Sequence, residues 1–399
     1  MKGLVETLRR EITRHKATLL VLDGLVSAEE TASSPRDMKK FVHELQTQAS
    51  LTDCTTYLLT SAYMGQQLVS AEHTMVDGIF DLQSRLHGRR AERELVVHKF
   101  RGSSYLRGVH SFRITDTGIA VYPRVEALFA HPSGHIKADG PFLSLGVGEI
   151  DNMLGGGVKK RSTTLVMGPA GTGKTTLGLQ FLGAPQAGRG LFFSFNESPA
   201  ALQAKAAALG LPIAGLMNSG DIQTLWQPVT EALLDEVCAR LINTVREGRI
   251  ERLFLDGADG LGKLTTEQHR ISPVLTALSN ELRSLAVTTL STAETDFAGI
   301  VPGQPFAGLS VRDLSPIAEN IILFRHATTL SETHRMVSVV KARDALTDMR
   351  FRRYEIGPAG IKLDPDHTRA EEILSQIARG RDGGLRASPP LADPLGRGD

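Results

Sequence analysis

Residues 168–175, Gly168-Pro169-Ala170-Gly171-Thr172-Gly173-Lys174-Thr175, have the spacing GxxxxGK[ST], which suits a chain of phosphates. The glycines let successive backbone N–H groups turn inward on the anion, and the positive end of a following helix adds to their field. In this arrangement Lys174 reaches the β- and γ-phosphates, the Thr175 hydroxyl ligates Mg²⁺, and Thr176 joins the nucleotide-binding set, so the expected ligands are ATP and Mg²⁺. A carboxylate must share the metal, and Asp256, ending the apolar run Leu253 to Leu255, stands where one belongs. Hydrolysis also needs a group to orient or deprotonate water. Glu197, after the strand LFFSF and Asn196, is the candidate base, with capping of a helix starting near Ser198-Pro199 as its other reading. Lys341 and Arg343 lie two apart in a strand-like run, as do Lys99 and Arg101, so each pair is expected to share a strand face. Either pair acts across a subunit boundary, as arginine fingers do, or is plain surface charge.

These groups need a scaffold. The phosphate-binding turn is preceded by the apolar run STTLVM and followed by the helical pattern TTLGLQFL. The two halves of the chain show a weak repeat, offset by roughly 230 to 240 residues. Leu4, Val5, Leu8 and Ile12 fall at helical spacing before a strand over Thr18 to Leu22 that ends at Asp23-Gly24; Leu233, Leu234, Val237, Leu241 and Val245 do so before Leu253 to Leu255 and Asp256-Gly257. Each half continues with a further apolar strand, TTYLLTSA or VTTLSTAE, and closes on a pair of β-rich segments. Strands alternating with helices predict an α/β fold with a mostly parallel sheet flanked by helices.

The second half carries an extra block from Phe142 to about Thr224, which holds the phosphate-binding turn and has no counterpart in the first. The expected organisation is therefore a partial domain over 1–135, a complete one over 136–366, and over 367–399 a short helix followed by a disordered tail. That helix is expected over Thr368 to Arg379, with Thr368 and Glu371 as a capping box. A sheet without its central strand exposes unpaired edges and apolar surface. Residues 1–135 are thus either a degenerate half-domain covered by something else or, the preferred reading, the visible part of a longer domain.

Composition bounds the partners. With 399 residues, 41% of them hydrophobic, the chain can bury more than one core. The 45 Lys and Arg against 44 Asp and Glu leave a formal charge of +1, so the overall balance calls for neither a nucleic acid nor an anionic membrane. The run Lys159-Lys160-Arg161 reads as a solvated turn. Cys54 and Cys238 lack CxxC spacing and read as reduced core thiols. No apolar run reaches the roughly 18 residues of a membrane span, and the N-terminus is charged and amphipathic, so the expected compartment is the cytoplasm.

The segments LGVGEIDNMLGGGVKKRSTTLVMGPAGTGKTTL, FSFNES, both LDG strand ends, HKFRGSS and FRITDTGIAVYP resemble the KaiC family of RecA-like P-loop ATPases, which includes the circadian-clock ATPase and autokinase. The resemblance runs to about Leu363 and implies tandem RecA-like domains, here with the first lacking its phosphate loop. It also implies hexameric homo-oligomeric rings with ATP at subunit boundaries and a Lys-x-Arg pair reaching the neighbour's γ-phosphate, matched by Lys99/Arg101 and Lys341/Arg343. Autophosphorylation in clock members falls on adjacent Ser and Thr, here Ser315 and Pro316, so Ser315 alone can accept phosphate. The family usually has two consecutive glutamates where this chain has Asn196-Glu197. Three functions follow for test: a slow Mg-dependent ATPase acting as a signalling or clock-type regulator with serine/threonine autokinase activity at Ser315 and a signalling protein as partner; an ATP-binding regulator with little turnover; and a RecA-type DNA-dependent ATPase.

Overall fold

Residues Thr163–Gly168 and Gly190–Ser194 are buried at every position. Strands apolar on both faces belong in the middle of a parallel sheet with a helical layer on each side. The computed structural model describes residues 2–25, 34–60, 75–130, 141–185, 188–295, 317–329, 332–343 and 347–383. The chain divides into two compact units, Met1–Val121 and Tyr122–Asp399.

In the first unit the helices Lys2–His15 and Pro35–Thr52 pack their apolar stripes together through Val5, Met38, Phe41, Val42 and Leu45. Ser34 caps the second helix, its hydroxyl accepting from the Asp37 N–H, with Pro35 in the first turn. Strands β1 (Leu19–Asp23) and β2 (Thr55–Leu59) pair in parallel, Leu19 opposite Thr55. Strands β3 (Gly78–His87), β4 (Arg90–Phe100), β5 (Val109–Thr115) and β6 (Gly118–Tyr122) form a separate four-stranded sheet in that order. Leu22 and Leu58 pack under the helices, while the alternate residues Leu19 and Val21 are each 55% exposed and Tyr57 is 50% exposed. Among the described residues the opposite face of the parallel pair therefore has no second layer.

In the second unit β7 (Phe142–Leu143) and β8 (Val158–Lys159) make a short antiparallel ribbon. The main sheet contains β9 (Thr163–Gly168), β10 (Gly190–Ser194), β11 (Ile222–Trp226), β12 (Arg252–Asp256), β13 (Thr288–Glu294), β14 (Asn320–Thr328), β15 (Thr333–Ala342), β16 (Arg352–Gly357) and β17 (Gly360–Leu363). Its order is β11-β10-β12-β13-β9-β14-β15-β16-β17. The first six strands run parallel, and the last three continue from β14 as an antiparallel meander. Alternate side chains of β9 feed two cores. Val166 joins Leu177 and Phe181 of the helix Lys174–Gly183, and Leu165 and Met167 join Val237 and Leu241 of Leu234–Gly248 with Val274 and Leu278 of Ile271–Ser284.

The repeat is visible in the strand order. β12 and β13 correspond to β1 and β2, and β14–β17 to β3–β6. In the second unit β9 lies between β13 and β14 and bonds to both, whereas among the described residues no strand joins β2 to β3. The closing helix runs over Thr368–Gly383, past the Arg379 expected for its end, so its last residues lie in sequence read as disordered tail. Ala370 and Ile373 bury against Ala327 and Met336, which ties it to the sheet.

Candidate nucleotide site

Four strand ends define the site. Ser194 of β10 is level with Asp256 of β12, and Glu294 of β13 is level with Gly168 of β9, so the carboxyl ends of these parallel strands open on one crevice. In an open α/β sheet this is where ligands bind. Residues 169–173 connect β9 to the helix that begins at Lys174. The turn needs its glycines: a Cβ on Gly168 would lie 2.4 Å from the Phe324 carbonyl oxygen, and Gly173 has φ +92. Behind the loop Thr172 Oγ1 donates to the Pro169 carbonyl at 2.8 Å, the Tyr354 hydroxyl donates to the Thr172 carbonyl, and Arg335 Nε donates to the Gly171 carbonyl at 3.4 Å. These bonds take up outward-facing carbonyls. Upstream, Asp151 Oδ1 accepts the Leu145 N–H at 2.8 Å, and a Cβ on Gly146 would meet the Gln180 carbonyl at 2.4 Å, so this part of the long N-terminal motif seats the phosphate-loop helix.

Lys174 Nζ donates to the carbonyls of Gly168 at 2.7 Å and Pro169 at 2.8 Å, folded back on its own loop. Burial pushes its ammonium below the usual value, while the carboxylates of Glu294, Asp256 and Asp259 pull the other way. Thr175 Oγ1 donates to Asp256 Oδ2 at 3.0 Å, and Thr292 Oγ1 donates to Asp256 Oδ1 at 2.7 Å. Burial raises the Asp256 carboxyl, hydrogen bonds from Thr292 and Thr175 oppose that rise, and the nearby Glu197 and Lys205 charges act in opposite senses on it.

A hydroxyl and a carboxylate side by side, next to a phosphate cradle, fit the donor set of Mg²⁺, which takes one or two protein oxygens and completes its shell with water and substrate phosphates. Among the described residues no three His, Cys, Asp or Glu converge into a metal cage.

Glu197 follows β10 directly, its N–H donating to Ser194 Oγ at 2.9 Å beside that of Asn196 at 3.2 Å. The helix Pro199–Ala208 is capped by Ser198, whose hydroxyl accepts the Ala201 N–H at 3.3 Å. The Glu197 side chain forms an ion pair with Lys205 from that helix. Its other oxygen, Oε2, is buried with no hydrogen-bond partner among the described residues.

Lys341 and Arg343 are elsewhere. Lys341 is level with Ile321, which is level with Leu165 near the start of β9, so the pair lies at the end of the sheet opposite the phosphate loop. Lys341 Nζ donates to the Ala318 carbonyl at 2.8 Å, and burial followed by the Arg343 charge lowers its ammonium. The strand stops at Ala342, so Arg343 sits one residue beyond it, its N–H bonded to the Glu319 carbonyl at 3.1 Å. Likewise Lys99 closes β4 with Phe100, and Arg101 lies past its end. In each pair only the lysine is a strand residue, with the arginine N–H bonding onward to the neighbouring strand's end, Arg343 to Glu319 and Arg101 to Asp77. Ser315 and Pro316 lie outside the described residues.

Three site groups were not among the expected residues: Thr292, Glu294 and Lys205. The first two could have been suspected from polar residues closing the apolar strand VTTLSTAE; nothing in the spacing of Lys205 marks it.

The sheet order and the phosphate loop make the second unit a RecA-like P-loop ATPase domain. The chain matches the sequence model of the KaiC ATPase over residues 1–126 and 143–368, and it belongs to that family. It is 24% identical over 381 residues to the circadian clock oscillator protein KaiC of Rippkaea orientalis (strain PCC 8801 / RF-1), a match spanning 94% of this chain and 71% of that protein. To circadian clock oscillator protein KaiC 1 of Synechocystis sp. (strain ATCC 27184 / PCC 6803 / Kazusa) the identity is 23% over 381 residues, with the same coverage, 94% and 71%. Among the described residues no helix is long and apolar enough to cross a membrane.

Proposed function

We propose that this chain binds ATP with Mg²⁺ and hydrolyses it slowly, as a clock-type or signalling regulator of the cytoplasm. The observation that carries the reading is the Thr175–Asp256 hydrogen bond beside the phosphate loop, which brings together two oxygens of the kind that ligate Mg²⁺. Residues Gly168 to Thr176 bind the nucleotide, Thr175 and Asp256 hold the ion, and Glu197 orients or deprotonates the attacking water. Bound Mg²⁺ would neutralise charge developing on the phosphates. Lys341 and Arg343 lie too far along the sheet to serve their own loop, which favours a role at a neighbouring subunit's nucleotide in a ring, with a hexamer as the working assembly. Serine/threonine autokinase activity at Ser315 belongs to the same reading. Residues 1–135 are part of a longer domain of the same kind, a reading supported by the exposed apolar face of β1 and β2.

The test is steady-state ATP hydrolysis with Mg²⁺ by wild type, Lys174→Ala and Glu197→Gln, with mass analysis for phosphoserine. Turnover in wild type alone supports the reading. Binding without turnover favours a regulator with little hydrolysis, to which Asn196 and the Lys205-engaged Glu197 also point. Mixing Lys174→Ala with Lys341→Ala/Arg343→Ala protein tests action across subunits: recovered activity requires that each supply what the other lacks.

A further inference from the structure

Lys205 occupies a place where a cation can read the nucleotide. Its ammonium pairs with Glu197 Oε1, and the charges of both residues act on Asp256, the carboxylate bonded to Thr175. The partners differ in freedom. The backbone around Glu197 is pinned by the two N–H bonds to Ser194 Oγ, and Ser194 is fully buried. Lys205 reaches in on a flexible stem from a capped helix, and its side chain is 38% exposed.

Among the described residues, carboxylates crowd the crevice where a triphosphate would sit. Lys174 stands amid Glu294, Asp256 and Asp259, and Glu197 adds a fourth carboxylate. A terminal phosphate arriving beside Asp256 carries more charge than a single carboxylate and offers three acceptor oxygens, so it competes for the Lys205 ammonium.

We propose that Lys205 recognises the terminal phosphate of a nucleoside triphosphate, exchanging Glu197 for it, and stays on Glu197 when the ligand is a diphosphate. This rests on the ATP-binding reading and adds two things to it: discrimination between ATP and ADP, and release of the Glu197 carboxylate only when a γ-phosphate is present. Lys205 is then a specificity-determining residue drawn from outside the phosphate loop.

The test uses the full chain with Mg²⁺ and calorimetric titration of ADP and a non-hydrolysable ATP analogue. Lys205→Met is expected to weaken the analogue about tenfold, the loss of one charge-assisted bond, and to leave ADP within about twofold. Lys205→Arg should retain most of the discrimination. Glu197→Gln should tighten the analogue by freeing Lys205, and the double variant Glu197→Gln/Lys205→Met should lose that gain. Equal effects on both nucleotides, or no effect of Lys205→Met while wild type binds both, would overturn the inference alone. Wild type binding neither nucleotide would overturn the ATP reading with it.

Discussion

Thr175 and Asp256, 81 residues apart in the chain, meet through a hydrogen bond of 3.0 Å, and Thr292 holds the other oxygen of the same carboxylate at 2.7 Å. The two groups proposed to hold the ion are therefore oriented by the protein itself. Thr175→Val should lower kcat by about 10²-fold, in the range seen when one oriented catalytic donor is removed. Thr175→Ser should keep most of the activity, and an Mg²⁺ titration of ATPase rate on all three proteins checks both statements. A Thr175→Val protein with unchanged rate and Mg²⁺ dependence would remove Thr175 from the site.

Gly178 lies where the phosphate-loop helix touches the sheet. A Cβ there would lie 2.1 Å from the Phe254 ring, although Ala is the better helix former. Gly178→Ala should thus destabilise the second unit by about 1–3 kcal/mol through overpacking instead of stabilising it. Chemical denaturation decides the sign.

Arg270 joins two carboxylates. It donates through Nε to Glu126 at 2.9 Å and through Nη2 to Asp235 at 2.9 Å, and Asp235 also accepts the Val125 N–H at 3.1 Å. The Asp235 side chain is only 1% exposed, so Arg270→Leu strands a buried charge. The expected loss is about 3–5 kcal/mol. Replacing Asp235 by Asn in the Arg270→Leu background should recover part of it, measured as urea midpoints.

Asp348 gives an acid-sensitive element. Hydrogen bonds from Arg350 at 2.9 Å, and then from Arg352 at 3.0 Å, hold its carboxyl well below the usual carboxylate range. A depressed folded-state value means stability that is fully present above the unfolded pKa and is lost as pH falls through the folded one. Wild type should therefore exceed Asp348→Asn in stability at about pH 5, and the gap should shrink as pH falls toward about 2. A gap independent of pH would show that the carboxylate charge contributes nothing. Asp348 and Arg352 are partly buried but Arg350 is exposed, and solvent screening there keeps the effect small.

The local parts of the site were legible in the chain. Gly168 to Thr175 lies between an apolar strand and a helix, and its residues are contiguous, so the backbone conformation of the turn follows from residue type and spacing. The repeat likewise marked β12 and β13 as counterparts of β1 and β2. Strand order was not legible: hydrophobic periodicity assigns an element without assigning its neighbour. The parallel crossovers place the ends of β10, β12, β13 and β9 on one crevice and thereby recruit Thr292 and Glu294. The same topology sends Lys341 and Arg343 to the opposite end of the sheet. The Glu197–Lys205 pair depends on the angle at which a helix leaves β10, because an ion pair needs two charges within a few ångströms and only the packed chain determines that distance.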